Sequence, residues 1–244
     1  MAGGGRSVSA LVENLRDRLQ LVRLAARTIA GRRYWIVPLL PLLWVAFQIV
    51  RLLIRWRQED YLAGDAQTIL IGFPLTVLAV GLGVRIIAGE IDRRTLEIAY
   101  TVPRGTHRVW LAKLVAGLLL LVAAEALLAI ATYVFATGFP PGALYGALQA
   151  AVFYMVLAMA LAALFKSEAT GALATVVVLS LNLPVQGAGL RVSPFWNTDN
   201  FASFDPSDVV AWTVQNRIGF ALITVVIALL AFGRAERREK LLGG

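Results

Sequence analysis

Six runs of apolar residues, each close to the ~20 that an α-helix needs to cross a bilayer, constrain this chain more than any other feature. They occupy 34–54, 66–88, 109–136, 143–165, 169–190 and 206–232. Backbone groups in hydrocarbon must pair within their own segment, so runs this long and this poor in charge are helices. The predicted fold is therefore all-α, a polytopic membrane protein of six transmembrane helices in a single domain over residues 1–244. The composition agrees. Hydrophobic residues make up 59%, charged residues 16%, and mean hydropathy is +0.73, against roughly 45–50% and 25% in soluble domains. Pro38, Pro41, Pro74 and Pro184 fall inside the runs, where neighbouring helices can satisfy the carbonyls they free.

Net charge is +8 with a pI near 10.4, a balance that also suits nucleic acid. Here the charges are concentrated between the apolar runs, which points to topology and to no nucleic-acid partner. With the N-terminus inside, eighteen of the 23 Lys and Arg fall on the inner side and five on the outer, so both termini are expected in the cytoplasm. Arg51, Arg55 and Arg57 are the local exception, with Glu59, Asp60 and Asp65 beside them to neutralise them. Residues 9–33 read as an amphipathic interfacial helix. Leu11, Leu15, Leu19, Val22, Ala26 and Ile29 form its apolar stripe, and Glu13, Asp17, Gln20 and Arg27 sit opposite. A short soluble helix is the alternative. Residues 233–244 read as a cytoplasmic tail.

Between the second and third runs lies a dense charged segment, Glu90-Ile91-Asp92-Arg93-Arg94-Thr95-Leu96-Glu97, followed by Thr101-Val102-Pro103-Arg104 and later by Lys113. Ile91, Thr95, Ile98 and Val102 recur at helical spacing, and Glu90, Arg94 and Glu97 line another face within pairing distance. Pro103 and Gly105 end this helix, and Thr106 is placed to cap the next. The plain alternative is a solvated loop whose charges keep it out of the bilayer.

Glu90, Thr95-Leu96-Glu97, Pro103 and Lys113, in that order, resemble the signature of type-2 ATP-binding-cassette (ABC) exporter permeases. The resemblance implies that the loop between spans two and three is a cytoplasmic coupling helix, residues 90–100, which docks on an ATPase subunit. Glu90, Asp92, Arg93, Arg94, Thr95, Leu96, Glu97 and Pro103 would then be the coupling residues. It further implies two copies of a separate ABC-type ATPase that hold the ATP and magnesium, a second copy of this chain or a sister permease, and an accessory periplasmic or membrane protein. The setting would be a bacterial plasma (inner) membrane. One departure is Arg94, where the family usually has Gly before Thr-Leu-Glu. The stretch 191–205 fits too. Ser193-Pro194 and Asp205-Pro206 read as N-caps followed by Pro at the first helical position, with Phe195, Trp196, Phe201 and Phe204 between them. The family carries an outer re-entrant element between spans five and six, and an aromatic belt is the alternative.

Ionisable and polar residues inside spans are candidates for a substrate path. Glu125, in the middle of the third run, is the clearest, as a substrate contact, a proton relay or a structural carboxyl. Gln48, Gln149 and Asn182 are weaker, and such residues often bond helix to helix. Gly142 and Gly146 give one GxxxG spacing. No catalytic set emerges. There is no cysteine, a single histidine at His107, no G-x-x-x-x-G-K-[ST] phosphate loop and no G-x-S-x-G elbow. The chain is thus expected to hold no metal and no cofactor and not to be an enzyme. A non-transporting scaffold or mechanotransmitter driven by the same kind of ATPase is the alternative to export, and a membrane-embedded lipid-modifying enzyme is less favoured.

Overall fold

The structure is a computed structural model, and it describes residues 4–56, 59–92, 107–187, 193–201 and 203–236. Within these residues every regular element is helical. Helix α1 is Gly4–Ala30, α2 is Leu42–Leu53, α3 is Ala63–Asp92, α4 is His107–Phe135, α5 is Pro141–Phe165, α6 is Glu168–Gly187 and α7 is Pro206–Glu236. Among the described residues, five stretches are long and apolar enough to cross a membrane: Tyr34–Leu53, Ala63–Asp92, His107–Phe135, Pro141–Phe165 and Pro206–Glu236. The fifth predicted run appears as α6, of which Glu168–Asn182 counts as a shorter apolar helix.

The first span is not one α-helix. Tyr34–Leu39 is a 3-10 helix, Leu40 and Pro41 form a turn, and α2 starts at Leu42. Pro38 and Pro41 explain the break, since neither offers an N–H to continue the ladder. The second span holds a π-helical segment, Ala66–Gly72, closed where the Phe73 N–H reaches the Thr68 carbonyl. The next bond in that i→i−5 register would come from Pro74 to Ile69, and Pro74 has no N–H. The indole Nε1 of Trp44, on α2, donates to the Ile69 carbonyl at 2.8 Å instead. A neighbouring helix thus repairs the defect that a proline creates.

Helices α3 and α5 form the centre of the bundle. At Gly83 a Cβ would stand 2.2 Å from the Met155 carbonyl oxygen, so only glycine allows this approach. Most alanines of α5, among them Ala147, Ala150, Ala151, Ala158 and Ala162, are buried. Close packing of small residues is what holds helices together where lipid offers no hydrophobic drive between them. Helix α4 packs on α3 and carries α1 and the Tyr34–Leu53 segment on its other side; α6 and α7 flank α5. The end of α1 inserts Ala25, Ala26 and Ile29 into the core, whereas Leu19, of the predicted apolar stripe, is 64% exposed. Outward-facing positions are apolar as well: Ile218, Leu222, Val225, Val226, Leu229 and Leu230 of α7 are all exposed. A continuous apolar surface of this kind suits a lipid surround rather than water.

The helix start predicted at Ser193-Pro194 does not form. The Ser193 hydroxyl accepts from the Phe195 N–H at 3.2 Å, closing a local turn, and the one helical turn among the described residues there is a 3-10 turn, Thr198–Phe201. The residues nonetheless fold inward, with Ser193, Trp196, Asn197 and Phe201 buried. The other predicted cap is present. Asp205 Oδ1 accepts from the Ser207 backbone at 2.8 Å and from its hydroxyl at 2.6 Å, with Pro206 opening α7.

A candidate functional site at the base of the charged segment

Of the segment predicted to couple to an ATPase, Glu90 and Asp92 close α3, while Arg93, Arg94, Thr95, Leu96, Glu97 and Pro103 lie outside the described residues. The chain is described again from His107, at the start of α4. Both flanks are anchored to each other. Lys113 Nζ, one and a half turns into α4, lies 2.6 Å from Glu90 Oε1 and 3.2 Å from the Ile86 carbonyl. Trp110 Nε1 donates to Glu90 Oε2 at 3.2 Å. All three side chains are buried, and Trp110 stacks on Phe232 of α7. A buried charge pair of this kind is tolerable because the remaining hydrogen-bonding positions are also filled.

The resemblance implies a docking role for Glu90. Its side chain faces inward, in a cluster shared with α4, and so it is not presented on an outer surface. Glu90 and Lys113 are twenty-three residues apart in sequence; the fold makes them one ion pair. The pairing was accessible to sequence reasoning only as two charges at facing ends of adjacent apolar runs.

Asp92 is exposed and reaches a different element. Its Oδ2 accepts from the Glu168 backbone N–H at 2.9 Å, satisfying one of the first-turn donors that α6 leaves unpaired. The chain turns into α6 through Lys166, which ends α5 in the left-handed conformation at φ 57°. Glu168 pairs with Arg85 of α3 at 3.5 Å, and Arg85 Nη1 donates to the Ile29 carbonyl near the end of α1 at 3.1 Å. Arg85 therefore ties α1, α3 and α6 together. His107 and Glu236 stand 3.6 Å apart, which puts the end of α7 at this same end of the bundle.

The candidate path residues do not share one setting. Glu125 is buried in α4, and its Oε1 has no hydrogen-bond partner. Gln48 Oε1 accepts from Arg51 at 3.1 Å and from the Tyr61 hydroxyl at 3.2 Å. Gln149 exchanges two bonds with Arg217, one to its guanidinium at 2.8 Å and one to its carbonyl at 2.9 Å. Asn182 donates to the Val178 carbonyl of its own helix. Among the described residues no group of three His, Asp or Glu is placed to hold a metal ion.

Comparisons with protein-family models, with curated proteins and with solved structures give no match.

Proposed function

We propose that this chain is the membrane subunit of an ATP-driven exporter of the type-2 ABC class. Six spans per chain, with both termini cytoplasmic in a bacterial inner membrane, would make half of a translocation path completed by a second copy or a sister permease. Two separate ATPase subunits would dock on residues 90–100 and supply the ATP and magnesium; this chain is not itself the enzyme. The stretch 191–205 would be the outer re-entrant element.

The observation that carries this reading is the buried Glu90–Lys113 pair. A segment that is to transmit a push needs flanking helices that move as one body. An ion pair at 2.6 Å between the last turns of α3 and the first turns of α4, walled by Trp110, couples the two spans where such a push would enter. Closure of the ATPase subunits would then rock α3 and α4 together between inward- and outward-facing states. The resemblance of Thr95-Leu96-Glu97 and Pro103 to the coupling motif adds the direction of the contact.

A second reading, a mechanotransmitter that moves nothing across the membrane, has one observation in its favour: Gln48, Gln149 and Asn182 bond to separate partners and do not converge on one site.

The deciding experiment is purification of tagged chain from native membranes in mild detergent, with partners identified by mass spectrometry. Co-purification of a P-loop ATPase, lost in Glu97→Lys, is the expected result. Recovery of the chain without an ATPase would overturn the reading. Vesicles containing the complex would then separate export from mechanotransmission by whether ATP drives any solute flux.

A further inference from the structure

At the end of the bundle remote from the charged segment, α3, α5, α7 and the 193–201 stretch enclose a cavity of about 310 Å³, at the small end of the range for small-molecule sites, about 300–1,000 Å³. Its wall mixes apolar and polar groups, among them Gln67, Asn197 and Asp199, and carries one cation, Arg217. The guanidinium is held from three sides. Nη1 donates to Gln149 Oε1 at 2.8 Å, Nη2 to the Trp196 carbonyl at 3.4 Å, and the Tyr145 ring lies 5.1 Å from its carbon. Gln67 donates to the same Trp196 carbonyl at 2.6 Å. Gly146 makes room for this arrangement: a Cβ there would stand 2.5 Å from Gln67 Nε2 and 2.9 Å from Arg217 Nη2. The GxxxG spacing thus serves a polar cluster rather than a backbone contact.

An arginine offers five N–H donors, and two are engaged here by neutral acceptors. Among the described residues no carboxylate lies within ion-pair distance of it. Asp199 stands elsewhere on the wall, exposed, with its own backbone N–H bonded to Asn197. A half-buried, immobilised guanidinium with donors to spare and no carboxylate in ion-pair contact is a receptor for an anion, and its planar fork matches the oxygens of a phosphate.

The depth of the cavity narrows the source. Arg217 and Arg234 bracket an uncharged stretch of α7, residues 218–233. At 1.5 Å per residue they are about 26 Å apart, close to the ~30 Å thickness of a bilayer's hydrocarbon. Arg234 lies at the end marked by His107 and Glu236, so Arg217 sits at the opposite headgroup boundary.

We propose that this cavity binds an anionic phosphate group at headgroup depth, with Arg217 as its cation. The inference needs the chain to span a bilayer and is independent of any ATPase. The phosphate comes either from a phospholipid headgroup or from solution, and the two are separable.

The test uses the purified full chain, with thermal unfolding and native mass spectrometry as readouts and phosphatidylglycerol, phosphatidylcholine and inorganic phosphate as probes. Phosphatidylglycerol retained in preference to phosphatidylcholine, with a raised melting temperature, identifies a lipid headgroup. The same stabilisation by inorganic phosphate alone identifies a dissolved anion. Arg217→Gln should weaken binding by at least about tenfold, and Arg217→Lys by less. Two variants guard against a mere folding defect. A Cβ at Gly142, on the cavity wall, meets nothing within 4 Å, so Gly142→Leu should obstruct the site while leaving the unliganded melting temperature unchanged or higher. Asp199→Asn, which removes the nearby negative charge, should tighten binding. No response to either anion, or equal binding by wild type, Arg217→Gln and Gly142→Leu, would overturn the proposal.

Discussion

Lys113 Nζ lies 2.6 Å from Glu90 Oε1, joining the last turn of one span to the first turns of the next beneath a segment rich in charge. Removing either partner leaves a buried charge without its counter-ion, at a cost of about 3–5 kcal/mol. Glu90→Gln should lower the apparent melting temperature on the order of 10 °C, whereas Glu90→Met combined with Lys113→Met should recover most of that loss. The double variant separates strut from scaffold. If the pair transmits force, the stable double variant binds its ATPase yet no longer links hydrolysis to movement; full coupling would show that the pair serves stability alone.

Arg85 joins the Ile29 carbonyl to Glu168 from a position about half exposed. The ion pair itself is worth about 0–1 kcal/mol, so Arg85→Ala should scarcely move the melting temperature. Its effect should be local. Trypsin should cut after Arg27, Arg32 or Arg33 severalfold faster once the end of α1 is released, and an unchanged cleavage rate would show that core packing by Ala26 and Ile29 holds α1 without it.

Trp44 and Pro74 are coupled through the Ile69 carbonyl. Trp44→Phe keeps an aromatic ring but removes the donor, which should cost about 1–3 kcal/mol for the acceptor left unpaired. Pro74→Ala supplies a backbone N–H to the same helix. In a double-mutant cycle the two changes should therefore be less than additive. Additive losses in unfolding measurements would mean that the indole contributes through packing rather than through its N–H.

Glu125 carries a buried oxygen with no partner, so the fold gains little from it. Glu125→Gln and Glu125→Leu should leave stability within about 1 kcal/mol of wild type or raise it. Loss of solute flux in vesicles at unchanged stability would assign Glu125 to the path. A large loss of stability would assign it to the structure.

Asp205 caps α7, and hydrogen bonds from Ser207 hold its carboxyl below the usual carboxylate range. A carboxyl depressed in the folded state stabilises it above its unfolded value, near pH 3.9, and that contribution is lost as pH falls through the lower folded value. Asp205→Ala should thus lower the melting temperature slightly and uniformly at neutral pH. The gap from wild type should close only in the acid range below about pH 4. A gap that persists there would mean that the cap acts without its charge.

Hydrophobic run length was enough to place α4, α5 and α7, because a backbone in hydrocarbon has almost no alternative to internal pairing. The ends of α4, α5 and α7 fall within about four residues of the apolar runs, and the Asp205-Pro206 cap was readable from two adjacent residues. Local rules failed where a neighbour decides. Pro38 and Pro41 break the first span into a 3-10 helix and α2, and the π-helical turn at Ala66–Gly72 persists because Trp44 arrives from another helix. Periodicity put Glu90 on one helix face with Arg94 and Glu97 and is blind to Lys113, twenty-three residues away; only tertiary packing buries the two charges against each other. Arg217 shows the same limit. In sequence it is one charge near the head of a long apolar helix, and only the convergence of Gln149, Trp196 and Tyr145 around it makes it a site. Helices are encoded by the chemistry of consecutive residues, which any stretch of sequence displays. Sites are set by which distant side chains the bundle brings within 3 Å, and that depends on small residues such as Gly83 and Gly146, whose role is the space they leave.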